Sequence, residues 1–157
     1  MRTLLLCSII AAVTAAAGCE KKKQQRPTLE PVSDRTMGYE ILIPKGAQVL
    51  QKEGTNHTYS LPLPDGLNEL NVSLSSAEPG ELANMVRLKQ NFSQIKVQSE
   101  KDLDGGKLMV SEPGELGIQY VMYSKPGRNI GILVTCAGPK TEEALLTEMC
   151  SSLKVTK

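Results

Sequence analysis

The chain has no tryptophan, one phenylalanine (Phe92), four tyrosines and a single histidine, His57. Sugar-binding modules usually stack their ligands on exposed aromatic platforms, and this chain has few rings to offer. A catalytic triad or a histidine-based metal site needs partners around its imidazole. His57 has none by sequence and reads as a polar residue at a strand-edge surface. Positive charge is also not in excess: residues 37–157 hold 12 basic and 14 acidic side chains. The strong basic patch of a nucleic-acid binder is therefore missing. No apolar run reaches the roughly 20 residues needed to span a hydrocarbon core. There is no Cys-x-x-Cys pair and no phosphate-binding glycine loop; Gly105-Gly106 sits in a turn. Catalytic, metal and cofactor-binding residues are accordingly expected to be none.

What the chain does have is a strongly marked start. Arg2 is followed by an apolar run from Leu4 to Val13 and by the small residues Ala15-Ala16-Ala17-Gly18. This is the layout of a secretory signal, with a positive n-region, a short apolar h-region and a small-residue cleavage site. Ala16-Ala17-Gly18-Cys19 resembles the lipobox of bacterial lipoproteins, with Ala16 where that family more often has Leu. The resemblance implies a removed signal peptide over 1–18 and a diacylglycerated, fatty-acylated Cys19 as the mature N-terminus. The alternative is a soluble secreted protein with a coincidental cysteine. Glu20, rather than Asp, follows Cys19. In a Gram-negative host this leans toward the outer membrane, facing the periplasm.

Residues 19–36 read as the lipidated cysteine and a flexible tether. Lys21-Lys22-Lys23, Gln24-Gln25, Pro27 and Pro31 offer nothing to bury and two breaks to any helix. The lysines read as a solvated spacer, or as a weak attraction to anionic headgroups.

Residues 37–157 read as one globular α+β domain. Tyr39, Ile41 and Ile43 alternate with Glu40 and Leu42, the period of a half-buried strand. Short strands are predicted over 48–50, 58–61, 70–74, 95–99, 107–111, 119–123 and 130–136. Turn signals separate them, chiefly Pro44-Lys45-Gly46, Asp65-Gly66, Asp104-Gly105-Gly106 and Lys125-Pro126-Gly127-Arg128. Leu82, Met85, Val86 and Lys89 share one face at helical spacing, which predicts a helix over 80–91. A second helix over 141–153 begins with Thr141, Glu142 and Glu143 and carries Leu145, Leu146, Met149, Cys150 and Leu153 as its stripe. Hairpin-linked strands with two helices imply an antiparallel sheet with the helices packed on it. The pentapeptide Glu-Pro-Gly-Glu-Leu occurs at both 78–82 and 112–116. The surrounding patterns differ, so the two copies read as shared turn chemistry rather than as a repeat array.

Cys136 and Cys150 are the strongest chemical signal in this domain. Cys136 shares a strand face with Ile130, Ile132 and Val134, and Cys150 shares a helix face with Leu146 and Leu153. An exported chain enters an oxidising space, so a disulfide is expected, with two buried structural cysteines as the alternative. Reach is the difficulty. A helix running straight back along the strand would carry Cys150 about 13 Å from its start, whereas a bridge tolerates Cα separations up to about 7 Å. Glu100, Asp102 and Asp104 form an acidic cluster without the ligand spacing of a calcium loop, and read as a solvated face.

The order of elements resembles the PsbP-like α/β/α sandwich, to which the envelope lipoproteins similar to DcrB belong. The resemblance rests on the aliphatic strand ending in Ile43-Pro44 and on the terminal helix ending in Ser152-Leu153-Lys154. It implies a non-enzymatic, lipid-anchored envelope protein of accessory or binding type, attached to a membrane through Cys19. The partner expected is another envelope protein or a small apolar ligand, with no nucleic acid and no cofactor. An envelope chaperone holding hydrophobic client segments is the first alternative, and an enzyme with an unfamiliar site the second.

Overall fold

The computed structural model describes residues 26–114 and 116–157. Ten strands and two helices form three layers. The middle layer is a seven-stranded antiparallel sheet built from β3 (Gln48–Glu53), β4 (Asn56–Pro62), β5 (Glu69–Ala77), β6 (Val97–Leu103), β7 (Gly106–Ser111), β8 (Ile118–Pro126) and β9 (Gly131–Pro139). Their spatial order is β3-β4-β5-β9-β8-β7-β6. Helix α1 (Leu82–Phe92) lies on one face. On the other face lie α2 (Glu143–Ser151) and a second sheet, formed by β1 (Leu29–Asp34), β2 (Tyr39–Pro44) and β10 (Lys154–Val155) in the order β1-β2-β10.

Strand alternation sorts the side chains between these layers. On the central strand β9, Ile132, Val134 and Cys136 join Leu70, Val72 and Leu74 of β5 and Val121 and Tyr123 of β8. That set meets Leu145, Leu146, Met149 and Cys150 of α2 and Tyr39, Ile41 and Ile43 of β2 in one buried core. The intervening β9 residue Leu133 faces the opposite way, where Leu82 of α1 packs with Met109, Met122 and Ile95 in a smaller core.

The turns follow the predicted chemistry. Asp104 and Gly105 form a two-residue loop between paired Leu103 and Gly106, with φ of 46° and 76°. Positive φ at both positions is what a hairpin matching the strand twist requires. Pro126 pairs with Gly131 around the β8–β9 turn. Gly127 in that turn lies against the C-terminal carbonyl of Lys157 and the side chain of Val155, so a Cβ there has no room. Arg128 N–H donates to Lys157 O at 2.8 Å, and Thr156 N–H donates to Gly38 O at 2.8 Å. The chain end is thereby sewn across β2 and the β8–β9 turn.

Two expectations are corrected. The stretch read as tether through Thr36 contains strand β1, which pairs with β2 from Leu29↔Pro44 to Asp34↔Tyr39. Pro31 is compatible because β1 is an edge strand, where a residue without N–H is tolerated. The domain therefore begins before residue 37. The second helix is shorter than 141–153; residues 140–142 form a 3₁₀ turn, and the chain re-enters a sheet as β10. Pro44-Lys45-Gly46 turns the chain as its residues imply, and the turn leads from the small sheet into the large one. No helix among the described residues is long and apolar enough to cross a membrane.

Candidate functional site

Cys19 lies outside the described residues. Cys136 and Cys150 lie inside and are brought together. Helix α2 packs over β8 and β9 instead of tracking back along β9 alone. The Cys150 thiol donates to Val121 O at 3.0 Å and also approaches Val134 O at 3.8 Å. Val121 is the cross-strand partner of Cys136, so the helix delivers its cysteine directly above the sheet's. Both thiols are fully buried, and the sulfurs are unbridged. Burial, reinforced by the neighbouring Cys150, pushes the Cys136 thiol well above its ordinary pKa. A buried protonated thiol is a poor nucleophile.

His57 is where the structure departs most from the sequence. It is buried, not a strand-edge surface residue. β4 is an inner strand, and its His57 and Tyr59 sit two apart on the face that the small sheet covers. The Tyr39 hydroxyl reaches across from β2 to His57 Nδ1 at 2.8 Å and to the Tyr59 hydroxyl at 2.9 Å. Asp34, opposite Tyr39 on β1, accepts from the backbone N–H groups of Thr36 and Met37 at 2.8 Å each and pairs with Lys52 Nζ at 3.1 Å. The Met37 N–H, more than Lys52, holds the Asp34 carboxyl below its usual range. Burial lowers the His57 pKa, against the pull of Asp34 and with the push of Lys52, and burial raises that of Tyr39. The cluster joins two sheets by their polar groups. With Tyr39, His57 and Tyr59 each no more than 4% exposed, it is closed to a substrate.

Tyr39→Phe is expected to cost about 1–3 kcal/mol, the penalty for leaving buried polar groups unpartnered, read as a lower urea midpoint. The pH dependence has a definite sign. His57 is neutral when folded and protonates more readily when unfolded. Its contribution is therefore complete above the unfolded value of about 6.5 and is lost as pH falls through the lower folded value. Wild-type stability should decline as pH falls below about 6.5, and His57→Phe should flatten that decline. An unchanged slope in the variant would show that His57 does not carry it.

Several solvent-facing features lie around α1. One groove of about 450 Å³ lies beyond its C-terminus, lined by Gln94, Ile95, Lys96, Leu116, Ile118 and Tyr120, with Pro113 and Gly114 at its side. Phe92, the last residue of α1, is 85% exposed beside it, as is Leu116. A second hollow of about 360 Å³ shares Ile118 and Tyr120 with the first and extends to Leu67, which is 90% exposed. Together they make a trough of mixed polar and apolar lining along one end of the sheet, with Glu112, Asn68 and Glu69 among its walls. The sequence reading passed over these residues, although Leu88 and Phe92, four apart in the helix and off its buried stripe, were a usable signal.

The acidic cluster is dispersed: Glu100 pairs with Lys107 Nζ at 3.4 Å, and Asp104 lies in the hairpin turn. No group of three metal-ligating side chains exists among the described residues.

No family model and no curated protein matches the chain. Among solved structures, the chain is similar to cyanobacterial PsbP (CyanoP) of Synechocystis sp. PCC 6803. The TM-score is 0.55 at 15% identity, over 83% of this chain and 94% of that one. A protein of Bacteroides thetaiotaomicron VPI-5482 aligns with TM-score 0.47 at 15% identity, over 76% of this chain and 46% of the other. The first likeness, together with the helix–sheet–helix layering, shows that the chain has the PsbP-like fold.

Proposed function

We propose that this chain is a lipid-anchored accessory protein of the cell envelope, without catalytic activity of its own, that holds a short apolar segment of another envelope protein in the trough beside α1. In a Gram-negative host its place is the outer membrane, facing the periplasm. The observation that carries the reading is the trough itself. Phe92, Leu116 and Leu67 are solvent-exposed large apolar side chains around a floor of Ile118 and Tyr120. Contiguous exposed apolar surface of this kind marks interaction sites. The lipobox-like Ala16-Ala17-Gly18-Cys19 supports the anchor. Six residues lie between Cys19 and Arg26, which pairs with Glu148 on the α2 side. At most about 25 Å of chain therefore joins the anchor to that side, and the α1 side is left free to face a partner. A broad client-holding chaperone surface has less support, because the sheet beyond α1 carries Asn71, Ser73 and Ser75 rather than apolar residues.

A photo-crosslinking residue placed at Leu116 or Phe92 of the full chain in cells tests this. A single dominant envelope protein captured from both positions, but not from Lys101 near the β6–β7 hairpin at the other end of the strands, is the expected result. Capture of lipid alone would replace the protein partner by a small apolar ligand. Equal, diffuse capture from all three positions would end the proposal.

A further inference from the structure

The core between α2 and the sheet contains two thiols, Cys136 and Cys150. We infer that Cys136 and Cys150 are joined by a disulfide in the mature protein, clamping α2 to the central strand of the sheet. The inference rests on the export reading for its oxidising compartment and on the fold for its geometry. Cys136 lies on β9 between Val72 of β5 and Val121 of β8, facing α2. Cys150 faces back from the last turn of α2, its sulfur 3.0 Å from the carbonyl of Val121. The Cys150 sulfur thus sits over the strand pair that carries Cys136. Closing the bridge requires that Cys150 exchange its weak bond to Val121 O for a bond to sulfur. The crossing of α2 over β8 and β9 removes the separation that a helix running straight back would impose.

The chemistry is a thiol–disulfide exchange with a disulfide-donating protein of the export compartment. The donor's S–S bond breaks in two steps through a mixed disulfide. The Cys136–Cys150 bond forms, and the two electrons and two protons leave on the donor as a pair of thiols. Both cysteines are fully buried once folded, so the exchange takes place before α2 docks. The completed bridge is then shielded from reductants, which makes it structural rather than a switch.

The test is a non-reducing tryptic digest of the full chain recovered from cells and alkylated under denaturing conditions. Cleavage after Arg128, Lys140 and Lys154 places Cys136 in the peptide 129–140 and Cys150 in 141–154. The expected result is one linked species that separates into these two peptides on reduction. The reduced protein should also melt about 10 °C lower, as a loop of this length implies. Two separate alkylated peptides from the cellular protein would overturn the bridge. Refolding the same chain from urea with oxidised glutathione then identifies the failed premise. A bridge formed there places the fault in the export reading, and its absence there places the fault in the geometry.

Discussion

Leu146→Ala is expected to lower the stability of this protein by about 2–5 kcal/mol, the range for removing a buried leucine from a core that relaxes incompletely. Leu146 is fully buried on the sheet-facing side of α2. Its neighbours include Gly138 on β9, where even a Cβ would come within 3.4 Å of Leu146 Cδ2 and 2.7 Å of Leu70 Cδ2. The close fit means the sheet has already approached as near as its backbone allows and cannot collapse into the space the leucine leaves. Because α2 also packs on β2, the loss loosens the small sheet together with the helix. Urea unfolding followed by far-UV circular dichroism measures the change, with Leu88→Ala as the control. Leu88 is 46% exposed on α1, and its truncation should change stability by less than about 1 kcal/mol. Similar effects from the two substitutions would contradict the placement of the core between α2 and the sheet.

Cys19→Ala is expected to move the protein from the membrane fraction almost entirely to the soluble one. The expectation follows from the proposed anchor. Each buried methylene of an acyl chain contributes about 0.8 kcal/mol, and two or more chains on one residue hold a protein stably at a bilayer. The Lys21-Lys22-Lys23 run cannot replace that anchor, since each basic residue near an anionic surface contributes at most about 1 kcal/mol, screened by salt. Fractionation of cells expressing wild-type or substituted chain, with labelled palmitate as a second readout, distinguishes the cases. Loss of label with retention in the membrane would mean that the domain binds the membrane or a membrane protein by itself. Wild-type chain that takes up no label would remove the lipoprotein reading.

Much of the fold is legible in the residues because local physics dictates it. Tyr39, Ile41 and Ile43 alternate over a strand that forms where predicted, and Asp104-Gly105 supplies the positive φ of its hairpin. The apolar stripe of α2 faces the core as its spacing implies. The misses share one cause, pairing between segments distant in sequence. β1 contains Pro31 and little to bury, and it becomes a strand only because β2 accepts it at an edge. β10 is two residues long and exists only through its pairing with β2.

The site follows the same division. The lipobox-like start, the absence of a basic patch and the two cysteines on apolar faces are properties of short stretches, and the chain alone determined them. The trough is not. Phe92, Leu116 with Ile118, and Leu67 come from three separate segments and meet only at one end of the assembled sheet. Likewise, no pattern around His57 indicates that Tyr39, from a strand of another sheet, will close over it. The distance from Cys150 to the sheet depended on the angle at which α2 crosses it, which no helical periodicity contains. Sequence determined which faces are apolar, since burying them is what drives folding. Tertiary structure decided which faces meet, because that depends on strand order and crossing angle, set by the packing of the whole domain.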